Sequence, residues 1–198
     1  MLHSCHEPGV PRRRLLVRPP RRRGRRIRGG RLMGSIVTLV GNPRGGSRTA
    51  AVAVRAAEAA LGSAGDVVDL AGLAPHLFAP QPVAAVEVAL DLVKDADVLV
   101  VASPTYKGTY TGLLKAFLDR LPPRALAGKH ALPLLVMGGA QHALAVEVHF
   151  RPLLVELGAI VPTPGLAVLE SQIAELRDLD AVLKSWAGQL AGQLPARV

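Results

Sequence analysis

Cysteine is almost missing from this chain: Cys5 stands alone among 198 residues. From residue 33 onward there is neither a disulfide nor a thiol redox centre to expect, which fits a cytoplasmic protein. No run of about 18 apolar residues occurs, so no membrane-spanning helix is expected. Metal-binding signatures are absent as well. There is no His-Glu-x-x-His, and His76, His130 and His149 show no ligand spacing with His142 or each other. Gly45-Gly46-Ser47-Arg48-Thr49 lacks the closing glycine of a serine-hydrolase elbow. No clear acid–base pair stands out; Asp97 reads as a pre-strand residue and Asp119 as a solvated helix residue. Aromatic residues make up 3%, and Tyr106 and Tyr110 are the only tyrosines.

Positive charge is abundant but misplaced for a folded surface. The formal charge is +9, yet eleven of the 24 basic residues are arginines within residues 12–31. Setting residues 1–32 aside leaves 13 basic residues against 14 acidic ones, since Glu7 also goes. Residues 33–198 are therefore near neutral. The leader of residues 1–32, rich in Arg, Pro and Gly, buries too little apolar surface to fold and reads as disordered. Its short Leu15-Leu16-Val17 is no secretory signal. The plainest reading is an upstream start, with Met33 as the natural first residue. A basic arm that binds phosphates, or a targeting segment, are the other readings.

From Ser35 onward apolar runs alternate with helical patterns. Strands are predicted near 36–40, 66–70, 98–102, 131–137 and 159–168, and helices near 47–61, 83–94, 109–121, 142–157 and 173–193. Such alternation specifies an α/β fold, a parallel sheet with right-handed crossovers and helices on both faces. Phe78, in the Pro-rich segment 71–82, reads as a plug of the core, with a cover over a ligand as the other reading.

Three loops at the carboxyl ends of predicted strands carry the chemistry, because ligands of open α/β sheets bind there. Gly41-Asn42-Pro43-Arg44-Gly45-Gly46-Ser47-Arg48-Thr49 precedes a small-residue helix. Its glycines admit close backbone approach, Arg44 and Arg48 offer forked donors to phosphate, and Ser47 and Thr49 offer hydroxyls. It is neither a Walker A loop, since Ser47-Arg48 replaces Lys-Ser/Thr, nor Gly-x-Gly-x-x-Gly, which Asn42-Pro43 interrupts. The second loop, Ser103-Pro104-Thr105-Tyr106-Lys107-Gly108-Thr109, presents hydroxyls, backbone N–H groups and one flat aromatic, a set suited to a planar ligand with polar edges such as a flavin. The third, Gly138-Gly139-Ala140-Gln141-His142, lets a ring lie against backbone and offers N–H groups to a ring carbonyl. For the first and third loops taken alone, an ordinary βα turn is the plainer reading; for Tyr106 and Tyr110 it is an amphipathic core residue with its hydroxyl at the edge.

Together these motifs, with Leu121-Pro122-Pro123-Arg124-Ala125-Leu126-Ala127-Gly128-Lys129 and Gly112-Leu113-Leu114-Lys115, resemble the NADPH-dependent FMN reductase family over about residues 34–194. The chain is most similar to the branch that supplies reduced flavin to alkanesulfonate monooxygenases. One departure is Asn42, where the family often has Ser. The resemblance implies a flavodoxin-like three-layer sandwich with a five-stranded parallel sheet in the order 2-1-3-4-5. It implies FMN as cofactor or substrate, with NADPH, or NADH, as hydride donor. FMN-binding residues would be Asn42, Arg44, Ser47, Arg48, Thr49, Pro104, Thr105, Tyr106, Lys107, Gly108, Thr109, Gly138, Gly139, Ala140 and Gln141. No side chain need be catalytic, because the flavin N5 carries the chemistry. Tyr110 matches a tyrosine at a subunit interface, in a helix widened by a π-bulge, with a role in flavin exchange. A homodimer or homotetramer and a partner monooxygenase are implied; a membrane or nucleic-acid partner is not. The alternative is a reductase of quinones, azo dyes or metal oxyanions that retains its FMN. A flavodoxin-like electron carrier would instead favour an acidic surface.

Overall fold

The computed structural model describes residues 27–28, 31–32, 34–174 and 176–194. The chain divides into Met1–Leu32 and Met33–Val198. In the first unit Ile27–Arg28 pairs antiparallel with Arg31–Leu32. The rest of the expected disordered leader lies outside the described residues, as do residues 195–198 of the expected frayed tail.

In the second unit, strands β1 (Ile36–Val40), β2 (Asp66–Asp69), β3 (Val98–Pro104), β4 (His130–Met137) and β5 (Leu166–Leu169) form one parallel sheet. Their order is β2-β1-β3-β4-β5, the 2-1-3-4-5 order that the family resemblance implies. Strands β1 and β3 are buried throughout, because helices cover both faces. On one face, α1 (Arg48–Leu61) and α6 (Leu176–Leu190) pack Val52, Ala53, Ala56, Leu183 and Trp186 against Val40, Val100 and Leu134. Small residues let α1 lie close to the strands. Its ends are set by Ser47, which accepts the Ala50 N–H at 3.2 Å, and by Gly62, whose N–H returns to Glu58. On the other face, α2 (Ala84–Asp95), α3 (Gly112–Leu118) and α4 (Arg151–Glu156) pack Val86, Phe117 and Leu154 against Leu39, Leu99 and Leu135.

Several boundaries differ from the sequence expectation, each for a physical reason. Residues 161–165 are not strand. Only Ile160 makes a bridge, to His130, before β5 opens at Leu166. Pro162 and Pro164 lack the donors a ladder needs. Ala131 N–H donates to Ile160 O at 2.9 Å, so Pro133, two residues on, turns its missing donor toward this gap. The helix expected at 142–157 is composite: a 3₁₀ turn at Ala140–His142, a π turn at Val146–Phe150, then α4. The Arg151 N–H bonds back to Val146 O, and Pro152 cannot donate in the next position. The expected helix 173–193 is described as α5 (Glu170–Ala174) and α6, on either side of residue 175, which lies outside the described residues. The expected helix 109–121 shortens to α3, because Thr111 caps it by accepting the Leu114 N–H at 3.1 Å. Phe78 is not a plug: it is 85% exposed.

The π turn is clamped to the segment before β5. Arg151 donates to Glu147, to Val161 O at 2.8 Å and to Thr163 O, while Glu147 also accepts the Gly165 N–H at 2.5 Å. Gly165 must be glycine, since a Cβ there would lie 2.4 Å from a Val146 methyl carbon. Partial burial alone would raise the Glu147 carboxyl. The Arg151 hydrogen bond, the Gly165 N–H and the Arg151 charge outweigh it and hold the group below the usual glutamate range. A depressed carboxyl contributes fully above the unfolded glutamate value of about 4.3 and loses that contribution as pH falls through the lower folded value. Glu147→Ala should therefore lower Tm at pH 7 by roughly 4–8 °C, the equivalent of about 2 kcal/mol. The gap from wild type should narrow below about pH 4. An equal gap at pH 7 and pH 3 in thermal melts would contradict this.

Candidate functional site

The strand order reverses between β1 and β3, and β4 lies beside β3, so the loops after these three strands share one edge of the sheet. Hydrogen bonds tie them together. Gly41 N–H donates to Ala102 O at 2.7 Å, and Thr105 N–H to Val136 O at 2.7 Å. The Thr111 hydroxyl donates to Gly41 O at 2.6 Å. Gly41 is required by contact: a Cβ there would lie 2.6 Å from Leu114 Cβ on α3. The loop after β1 is thus bolted to the helix that follows β3.

Within the first loop, Asn42 is buried and structural in its bonds. Its Nδ2 donates to Thr49 Oγ1 at 3.1 Å, and its Oδ1 accepts the Arg44 N–H at 2.9 Å. Thr49 is 2% exposed, so it braces the loop from below. Gly45 and Gly46 at the turn, and the side chains of Arg44 and Arg48, are exposed at the start of α1. This is an anion-receptive arrangement: helix N-terminus, open N–H groups and guanidinium charge. Arg48 is also paired with Glu170, the first residue of α5, at 3.1 Å.

In the second loop Pro104 belongs to the strand, as its last and buried residue, rather than to the loop. Tyr106-Lys107-Gly108-Thr109 is a tight turn closed by Tyr106 N–H to Thr109 O at 2.8 Å. Both central residues are left-handed, Lys107 at φ +52° and Gly108 at φ +91°, the type I′ signature. The turn holds Tyr106 43% exposed. Thr105 and Thr109 carry the two buried hydroxyls that have no hydrogen-bond partner among the described residues. Such orphans need an explanation, and a ligand with polar edges supplies one. In the third loop Gly138 and Gln141 are exposed, Ala140 opens the 3₁₀ turn, and a Cβ on Gly139 would meet the Gln141 amide at 2.3 Å. The Gln141 side chain thus lies over Gly139 backbone. These donors, hydroxyls and open backbone fit a phosphate joined to a planar ring system.

Tyr110 is not in a π-widened helix; it precedes the cap of α3. The π turn is on another segment, and the two meet through the Tyr110 ring and Phe150, centroids 5.4 Å apart and tilted by 48°. Tyr110 lines a groove of about 610 Å³ between α3 and α4, with Lys115, Leu118, Asp119, His149 and Leu153. No other predicted flavin residue lines that groove. Sequence reading passed over two residues of the loop cluster. Thr111 had a usable signal, a Thr just ahead of an apolar periodic run. Glu170 had none, since its partner lies 122 positions away in the sequence.

The profile described as NADPH-dependent FMN reductase matches residues 35–173. FMN reductase (NADPH) of Escherichia coli strain K12 is 37% identical over 144 residues, 71% of this chain and 75% of that protein. NADH-dependent FMN reductase SfnE of Pseudomonas putida is 35% identical over 99 residues, 50% of this chain and 53% of that protein. Among solved structures, the apo form of the NADH:FMN oxidoreductase EMOB superposes with a TM-score of 0.75 and 36% identity, over 83% of this chain and 91% of that one. With the match running from the start of β1 into α5, and so through all three loops, the chain belongs to the NADPH-dependent FMN reductase family.

Proposed function

We propose that this chain passes hydride from NADPH, with NADH as a second donor, to FMN, and that reduced FMN leaves for a flavin-dependent monooxygenase. The observation that carries this is the cluster of three bonded loops, one anion-receptive and two suited to a ring, at the switch point of the sheet. Arg44, Ser47 and Arg48 would hold the phosphate, with Asn42 and Thr49 shaping the loop beneath it. Pro104, Thr105, Tyr106, Lys107, Gly108 and Thr109 would flank the ring. Gly138, Gly139, Ala140 and Gln141 would meet its polar edge. FMN, when bound, supplies the hydride-accepting ring; the protein binds, orients and excludes water.

The chain forms a homodimer or homotetramer in this reading. Leu144 ahead of the π turn, Val148 within it and Val155 on α4 are 66%, 50% and 53% exposed, and His149 and Glu156, next to the last two in the chain, line the Tyr110 groove. Covering these side chains and the groove would place Tyr110 at an interface, where it affects flavin exchange. A monomer in light scattering at micromolar concentration would contradict this. The site of action is the cytoplasm; among the described residues no helix is long and apolar enough to cross a membrane.

Steady-state oxidation of NADPH and NADH, with and without added FMN, tests the function. Protein beginning at Met33 should match the full chain in activity and Tm, purify colourless, and oxidise nicotinamide only when FMN is added. Tightly held yellow flavin would favour the FMN-retaining quinone, azo or metal-oxyanion reductase. No FMN-dependent oxidation at all would refute the function.

A further inference from the structure

The Arg48–Glu170 pair joins two positions that the three-loop cluster does not otherwise connect. Arg48 opens α1, directly after the Gly41–Ser47 turn; Glu170 opens α5, directly after β5. Their charged groups lie 3.1 Å apart with side chains 62% and 44% exposed. The carboxylate therefore sits at the mouth of the loop where positive charge is most useful for an anion. A further salt bridge, Arg55 with Asp180, joins α1 to α6. The two helices also share the buried Val52, Ala53, Leu183 and Trp186. Packing of α1 thus has other support, and Glu170 is not needed to hold it.

We infer that Glu170 sets how tightly the loop holds the phosphate of FMN, by occupying the Arg48 guanidinium in the free protein and placing a negative charge beside the bound anion. A phosphate dianion entering the loop must share Arg48 with this carboxylate or displace it. The carboxylate and the phosphate are like charges and repel, and solvent moderates the repulsion because the Glu170 side chain is 44% exposed. The carboxylate has no comparable effect on a flavin without phosphate. Glu170 thus acts on release as much as on recognition: it weakens the grip on FMN selectively, in the sense required of a protein that surrenders FMN after reducing it. This inference rests on the reading of Gly41–Thr49 as the phosphate loop.

Fluorescence titration of FMN and riboflavin into the full chain separates the two claims. Wild type should bind FMN more tightly than riboflavin; equal affinity would overturn the phosphate-loop reading itself. Glu170→Gln should bind FMN roughly two- to fivefold more tightly, the order of one half-exposed charge pair. Its affinity for riboflavin should be unchanged, and the gain should shrink at high salt. Glu170→Asp, which keeps the charge, should stay near wild type. In an Arg48→Ala background, Glu170→Gln should have a smaller effect. Unchanged or weaker FMN binding by Glu170→Gln would overturn the inference and instead make Glu170 a residue that presents Arg48. Equal tightening of FMN and riboflavin would overturn it too, because the effect would not reside at the phosphate.

Discussion

Arg48→Ala is expected to weaken FMN binding about tenfold or more while leaving riboflavin binding near its wild-type value. A charge-assisted hydrogen bond contributes roughly 1.5–3 kcal/mol, and each 1.4 kcal/mol is about tenfold in affinity. The Arg48 side chain is 62% exposed in the free protein, which points to the lower end of that range. Its only described ion pair is half-exposed, so its loss should move stability little. The variant should thus fold and melt almost as wild type does. Quenching of FMN fluorescence during titration reads the affinity directly. Unchanged FMN affinity would remove Arg48 from the phosphate loop, and parallel loss for FMN and riboflavin would assign it to the ring instead.

Thr111→Val should damage both stability and flavin binding, although it changes one hydroxyl into a methyl. That hydroxyl donates to Gly41 O at 2.6 Å and accepts the Leu114 N–H at 3.1 Å, in a residue 2% exposed. Valine would leave a buried carbonyl and a buried N–H unpaired, each costing about 1–3 kcal/mol. The sum, about 2–6 kcal/mol, corresponds to a fall in Tm of roughly 4–24 °C. Flavin affinity should fall too, because the bolt between the β1 loop and α3 is gone. Thr111→Ser keeps the hydroxyl and should recover most of both losses. If valine binds FMN with unchanged affinity at a temperature where it is folded, the two loops do not depend on this bond for their placement.

The sheet was legible because its strands are buried on both faces, and continuous apolar runs such as Val98–Ala102 announce that. Helix α1 was legible from Ser47 and its alanines. What escaped were features set by distant partners. The π turn follows from Pro152 acting with the Glu147–Arg151 clamp, whose anchors at Val161, Thr163 and Gly165 lie 10 to 18 residues from it. Periodicity alone reads that segment as one helix. Pro104 looked like a loop residue because proline usually ends a strand; here it does so from inside, on the last rung, opposite Val136. Phe78 looked like core because it is large and apolar, yet the neighbouring Leu77 takes the buried position, at 4% exposure. In the candidate site, the identities of the three loops were readable from composition and order. Thr111 and Glu170 act through Gly41 and Arg48, and a linear reading has no term for such pairs.

The two outer strands have a consequence for how copies of this fold avoid sticking to one another. Each is only four residues long. Strand β2 begins and ends with an aspartate, and Asp69 turns its carboxylate back onto the Ala71 N–H at 3.0 Å. On β5, the Leu169 N–H is taken by the Gln172 side chain at 2.8 Å. A neighbouring strand would find short, charged or already satisfied rims on which to add, so runaway cross-strand growth is disfavoured even in so apolar a chain.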